Sequence, residues 1–153
     1  MTDELAAAQE RTFAAATPAT AQSYPAERRL SGSQLADYLD RRAFAVIGTA
    51  RPDGRPHAAM SSYVRRGATF WLPTVAGAVR DRNLRNLPWL TFVVAEGDRD
   101  RHAVVLIEGP AVPVPPGEVP ADVRAAVSGD WVGSWLRLSA RRVLSYASPG
   151  VLD

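Results

Sequence analysis

The run Ala43-Phe44-Ala45-Val46-Ile47-Gly48-Thr49, then Ala50-Arg51 and the turn Pro52-Asp53-Gly54, decides the fold. Residues 43–49 carry no charge and are rich in β-branched and aromatic side chains, so they read as a buried strand. Proline presets φ and glycine tolerates positive φ, so Pro52-Asp53-Gly54 folds the chain back as a hairpin. A second strand follows over 56–64.

The pattern repeats outward from this unit. Arg65-Arg66-Gly67 is another tight connection, leading into a strand over 68–72, and further strands cover 89–95 and 102–114. Pro110 and Pro113 place the end of the 102–114 strand at a sheet edge or a bulge. The last long strand spans 134–146, with a bend near Ala140. Between strands, 78–87 reads as a short helix stopped by Pro88, and 119–127 as another after Pro115-Pro116-Gly117. Upstream, Ser31 and Gln34 have capping-box spacing and Leu30 and Leu35 that of a hydrophobic staple. A helix from there to Arg41 buries Leu35, Tyr38 and Leu39. The outcome is a mainly β fold, a six-stranded antiparallel barrel with short helices, because closure removes exposed strand edges. Residues 1–28 read as a peripheral segment, partly helical or disordered, in which an alanine-rich helix over 5–16 is broken by Pro18 and Pro25, with the barrel domain over 29–153.

Composition limits the chemistry. A chain of 153 residues, 46% hydrophobic and 22% charged, is one globular domain. Absence of cysteine excludes disulfides, thiolate nucleophiles and zinc–thiolate sites. All 18 basic residues are Arg, so no lysine Schiff base can form. The net charge is only +2, and arginines alternate with acids in Asp98-Arg99-Asp100-Arg101 instead of clustering with aromatics, which argues against nucleic acid as a partner. No apolar run is long enough for a bilayer, and Asp3 and Glu4 stand where a secretory leader needs positive charge, so the expectation is a cytoplasmic protein with no membrane partner.

The chemistry concentrates in Trp71-Leu72-Pro73-Thr74-Val75-Ala76-Gly77-Ala78-Val79-Arg80-Asp81-Arg82-Asn83-Leu84, a strand, a small-residue loop and a helix start. The first amides of a helix lack intrahelical partners and lie at the positive end of its dipole. With Arg80 beside them they make a phosphate cradle. By spacing alone, Arg80, Arg82 and Arg85 read equally as a solvated helix face. No acid–base pair or nucleophile stands out, so no catalytic residue is assigned. Ser61-Ser62 lacks the glycine elbow of a serine hydrolase. His57 and His102 lie on different strands with no carboxylate pattern for a metal, although one histidine suffices as a haem ligand. Trp71 and Trp89 read as wall packing. Trp131 and Trp135 read either as core or as a lid over a cofactor groove.

Thr49 to His57, the strand through Ser61-Ser62, the cradle with Arg82-Asn83-Leu84-Arg85-Asn86-Leu87-Pro88, and Glu108-Gly109 in the 102–114 strand together resemble the FMN-binding split barrel, or pyridoxamine-phosphate-oxidase-like superfamily. That resemblance implies a split barrel binding FMN or the deazaflavin coenzyme F-420, with haem as the lesser alternative. It implies a flavin-type oxidoreductase acting on a small conjugated organic substrate, or a cofactor-binding protein of the same fold with little turnover. By position it implies cofactor contacts from Met60, Ser61, Ser62, Pro73, Thr74, Val79 and Arg80, with Arg80 where relatives carry a phosphate-binding lysine. It also implies a homodimer with grooves between subunits, and the apolar residues Val104, Leu106, Leu136 and Leu138 are candidates for cover there. Two departures stand out: Ala78-Val79 replaces a polar pair before the basic residue, and Pro110 follows Glu108-Gly109. Arg137-Leu138-Ser139 lacks the histidine of the vitamin-salvage substrate motif, so true pyridoxamine-phosphate oxidation is not expected.

Overall fold

The computed structural model describes residues 3–127 and 129–152. The strands are β1 (Phe44–Ala50), β2 (Pro56–Ser62), β3 (Val64–Arg66), β4 (Thr69–Thr74), β5 (Trp89–Asp98), β6 (Arg101–Val114), β7 (Ser134–Ser139) and β8 (Arg142–Ala147). The helices are α1 (Glu4–Ala14), α2 (Pro18–Ser23), α3 (Gly32–Asp40), α4 (Val79–Asn86) and α5 (Ala121–Ala125).

Eight strands stand where six were expected, because two of the expected strands each divide. The run over 56–64 breaks at Tyr63, whose buried ring donates its hydroxyl to Leu39 O at 2.6 Å and turns the chain from one end of the sheet to the other. The run over 134–146 breaks at Ala140-Arg141, where the expected bend becomes a crossing. There the amide of Ala140 bonds Ala68 O at 2.9 Å and that of Arg141 bonds Glu108 O at 3.0 Å. Gly109 lies under the crossing: a Cβ on it would sit 1.9 Å from Ser139 O. Glycine is required there by the close approach of two backbones.

All pairing is antiparallel, in the order β2-β1-β5-β6-β7-β4-β3, with β8 on β6. The long β6 organises the sheet: residues 103–108 pair β5 on one side and β8 on the other, while 111–114 have left β5 and pair β7. The prolines of this strand therefore lie where it becomes one-sided. The sheet curls until its two ends, β2 and β4 with β3, face each other across a gap.

The barrel interior holds Phe70, Phe92 and Tyr63, with Phe70 and Phe92 ring centres 4.8 Å apart and Tyr63 edge-on to Phe92 at 4.9 Å. α3 forms as its caps dictate: Gln34 N–H donates to Ser31 Oγ at 3.3 Å and Ser31 N–H to Gln34 Oε1 at 2.8 Å. Leu35, Tyr38 and Leu39 are buried. A second cluster, Trp71, Val114, Val119, Val123 and Trp135, lies under α5.

The N-terminal segment carries α1 and α2, and α2 buries nothing. α1 is different, for its Leu5 and Ala8 enter the main core. Gln9 closes a buried ring of hydrogen bonds: Leu30 N–H donates to Ser145 Oγ at 2.9 Å, Ser145 O–H donates to Gln9 Oε1, and Gln9 Nε2 donates to Leu30 O at 2.8 Å. Val143 N–H, on the outer edge of β8, bonds Thr12 Oγ1 at 3.0 Å. The expectation of a peripheral segment fails for α1, because an edge strand needs its amides satisfied and α1 supplies the acceptor. No helix among the described residues is long and apolar enough to cross a membrane.

Candidate functional site

The gap between the sheet ends is a groove of about 230 Å3 lined by Phe44, Met60, Ser61, Ser62, Pro73, Thr74, Val75, Arg80 and Trp131. Six of the seven residues expected at a cofactor site therefore meet in one place. β2 contributes Met60 to Ser62, the end of β4 contributes Pro73 and Thr74, and α4 delivers Arg80. Val79, the seventh, lines a neighbouring groove instead, because adjacent residues on a helix point about 100° apart.

α4 starts at Val79, and Ala78 caps it with no side-chain hydrogen bond. Arg82 N–H closes the first turn on Ala78 O at 3.0 Å, leaving the earlier amides of the turn without an intrahelical partner. Gly77 turns the chain into the helix at φ +75°, and a Cβ on it would meet nothing within 4 Å. Its left-handed backbone is what favours glycine there. Asp81 is buried and accepts Gly77 N–H at 2.9 Å, with its other oxygen 3.2 Å from Arg85 Nη2. Arg85 is thus committed to an ion pair within the helix.

Arg80 is not so committed. Its Nη1 donates to Met60 O at 3.2 Å, on the free edge of β2, and no carboxylate lies within 4.0 Å among the described residues. Burial lowers its pKa from the usual arginine value, with no nearby charge opposing the shift. A guanidinium half out of water and lacking a counter-ion is stabilised by any anion that enters.

The remaining walls are apolar. Among the described residues six large apolar side chains are exposed, and four of them, Phe44, Met60, Val75 and Trp131, line this groove. Met60 is 67% exposed and Trp131 47%. Trp135, by contrast, is 2% exposed and belongs to the cluster under α5, so the two tryptophans divide between the alternatives the sequence left open. Trp71 is buried and Trp89 half-buried. Phe44 and Val75 escaped the sequence reading. The sequence predicts a 43–49 strand buried throughout, yet its faces alternate, with Ala45, Ile47 and Thr49 inside and Phe44 and Val46 outside.

Neither histidine lines the groove. His57 is half-buried with Nδ1 unpartnered, and His102 stacks on Tyr146 at 5.3 Å. No group of three or more His, Cys, Asp or Glu among the described residues is placed to hold a metal. Leu136 and Leu138, expected on an open wall, are fully buried inside the barrel; Val104 and Leu106 are partly exposed.

Solved structures share this architecture. A conserved hypothetical protein from Mycobacterium tuberculosis superposes with a TM-score of 0.68 at 25% identity, covering 81% of this chain and 89% of its own. An FAD-binding protein from Mesorhizobium loti gives 0.65 at 20% identity, over 77% of this chain and 93% of that one. The haem storage protein HutZ from Vibrio cholerae gives 0.64 at 14% identity, over 76% and 95%. The fold thus occurs in proteins named for flavin binding and for haem. No curated protein matches the sequence. The family model of pyridoxamine 5'-phosphate oxidase matches residues 32–148, from the first turn of α3 to just past β8, and this chain belongs to that family.

Proposed function

We propose that the groove binds a flavin-type cofactor, FMN or its deazaflavin relative F-420, and that the protein is an oxidoreductase for a small conjugated organic substrate. The observation that carries this reading is the pairing of apolar walls with one uncompensated arginine. Phe44, Met60, Val75 and Trp131 suit a flat, poorly hydrated ring system, and Arg80 with the amides of α4 suits an anion at its end. Haem fits less well, since no imidazole in the groove can reach an iron.

The bound cofactor would carry the hydride chemistry. The chain's own part is binding and orientation. Arg80 and the first-turn amides of α4 hold the phosphate end. Ser61, buried and engaged with Ser62 O at 2.8 Å, keeps β2 shaped beside the ring. Trp131 shields the open side from water.

A second copy of the chain completes the site in this reading. A volume of about 230 Å3 is below the roughly 300–1,000 Å3 usual for ligand pockets. Met60, Val46, Val93, Leu106 and Leu144 stand directly opposite one another across β2, β1, β5, β6 and β8, an apolar row on the outer face that is exposed at Met60 and Val46, half-buried at Val93 and Leu106 and covered at Leu144; its open part suits self-association.

Fluorescence titration of the purified protein with FMN and with F-420 tests the reading. A charge-assisted contact is worth about 1.5–3 kcal/mol, so Arg80→Ala lowers affinity by about one to two decades. Arg80→Lys costs less, and Arg124→Ala nothing. Wild-type titration by Arg80→Ala overturns the assignment.

A further inference from the structure

Trp131 reaches the groove from the segment between α5 and β7, and its neighbours in the chain hold that segment in place. Val127 and Val132 pack against the cluster under α5. Gly133 N–H donates to Thr74 O, at the end of β4, at 3.1 Å. A Cβ on Gly133 would stand 3.0 Å from Ala76 Cβ, so the segment is pressed against the loop that leads into α4. The backbone beside Trp131 is therefore fastened to the scaffold. The indole is freer: it is 47% exposed and lies outside both apolar clusters.

Gly129 lies against that indole. The three nearest atoms to a Cβ added at Gly129 all belong to the Trp131 side chain: Cε2 at 3.2 Å, Cδ1 at 2.5 Å and Nε1 closer still. The pyrrole edge of the ring thus rests on the bare Cα of Gly129, with its benzo edge turned away. Gly109 differs, because the obstacle there is backbone and nothing nearby can yield. At Gly129 the obstacle is a half-exposed side chain, so a larger residue would displace the indole and leave the strands in place. Gly129 also has φ +147°, which strains any other residue. That strain belongs to the backbone and is the same whether or not an indole stands against it.

We propose that Gly129 is a positioning residue: its lack of a side chain seats the Trp131 indole, and the size of residue 129 sets how far that ring reaches over the groove. The inference rests on the functional reading above for the nature of the occupant, a flat ring against which an indole can stack. For the seat itself it rests on geometry alone. A residue that lines no part of the groove thereby governs how tightly the groove closes on its occupant.

The parent, Gly129→Ala, Trp131→Ala and the double variant separate seat from strain. In the parent a nuclear Overhauser effect joins Trp131 Nε1–H to Gly129 Hα, a measurement that needs neither substitution nor ligand. Acrylamide quenches the Trp131 emission, taken as the difference between matched proteins with and without Trp131, more strongly in Gly129→Ala than in the parent. Titration with FMN and with F-420 then gives a cycle for whichever binds. Gly129→Ala raises the dissociation constant about three- to tenfold, the worth of one aromatic contact. In the Trp131→Ala background the same substitution changes it less than about twofold. Backbone strain at position 129 lowers Tm equally in both backgrounds and cannot imitate that difference. Absence of the Overhauser contact, quenching unchanged by Gly129→Ala, or an equal loss of affinity with and without Trp131 overturns the proposal. If even the parent binds neither FMN nor F-420, the flavin reading fails, and the Overhauser contact and the quenching still decide the seat.

Discussion

Replacing Gln9 by Met tests whether α1 is part of the fold's stability or merely attached to it. Gln9 is nearly buried and bridges two partners: its Nε2 donates to Leu30 O at 2.8 Å and its Oε1 accepts from the Ser145 hydroxyl. Methionine has nearly the same length and no amide. It orphans the Leu30 carbonyl and the Ser145 O–H, at about 1–3 kcal/mol per buried group. Partial offset from the more apolar side chain brings the expected loss to about 3 kcal/mol. Against a total stability of roughly 5–15 kcal/mol this is a large fraction, and at about 2–4 °C per kcal/mol it lowers Tm by about 6–12 °C. Differential scanning calorimetry reads the shift, with Gln22→Met on the exposed α2 as the control that stays within about 0.5 kcal/mol. Ser145→Ala breaks the same ring from the other side, orphaning Leu30 N–H and Gln9 Oε1. The double variant therefore falls short of the sum of the singles by about 1 kcal/mol or more. A Gln9→Met melt matching the control, or strict additivity, would refute the claim that this ring ties α1 to β8.

Three further outcomes follow from geometry already described. Gly109→Ala puts a Cβ 1.9 Å from Ser139 O, where only backbone can yield, so it destabilises by more than about 3 kcal/mol; Gly117→Ala, in open space, leaves the urea midpoint unchanged. Leu106→Glu places a charge within the apolar outer row; the self-association reading expects light scattering to give a dimer for the parent protein and a monomer for this variant, and a monomeric parent would contradict it. Burial raises the Tyr38 phenol from 10.0 to about 12, so the stability it contributes is fully present below pH about 10 and is lost as pH rises towards 12. Tyr38→Phe removes this group's share of the alkaline loss at the expense of its hydrogen bonds to Val94 O and Ala103 O, and an unchanged alkaline unfolding profile would count against the assignment.

The strands were legible in the sequence because hydrophobic runs and turn residues are local signals. The Pro52-Asp53-Gly54 hairpin, the Ser31–Gln34 capping box and the helix before Pro88 all needed only near neighbours. What the sequence did not disclose depends on distant partners. The division at Tyr63 follows from a hydrogen bond to Leu39, and the division at Ala140 from the space above Gly109. α1 looked peripheral because an alanine-rich helix has little amphipathic contrast of its own, and its burial is decided by β8, more than a hundred residues away. At the groove, the polar and basic members were legible from the cradle and the family resemblance. Phe44, Val75 and the choice between Trp131 and Trp135 were not, since an apolar residue carries no mark of whether its face meets core or cleft.

The placement of the groove has a consequence for motion. β6 residues 103–108 are bonded on both flanks, so their amides open only with the whole domain and exchange with solvent most slowly. β2 and β3 are the terminal strands of the sheet, each bonded on one side only, and they open at far lower cost. The groove's serines and Met60 lie on β2. Apo protein should therefore exchange quickly along 58–62 and slowly along 103–108, and an occupant clasped by Arg80 would slow the first set without altering the second. Recognition lies at the end of the sheet and rigidity at its centre, so the protection that binding confers reports on the edge strand alone.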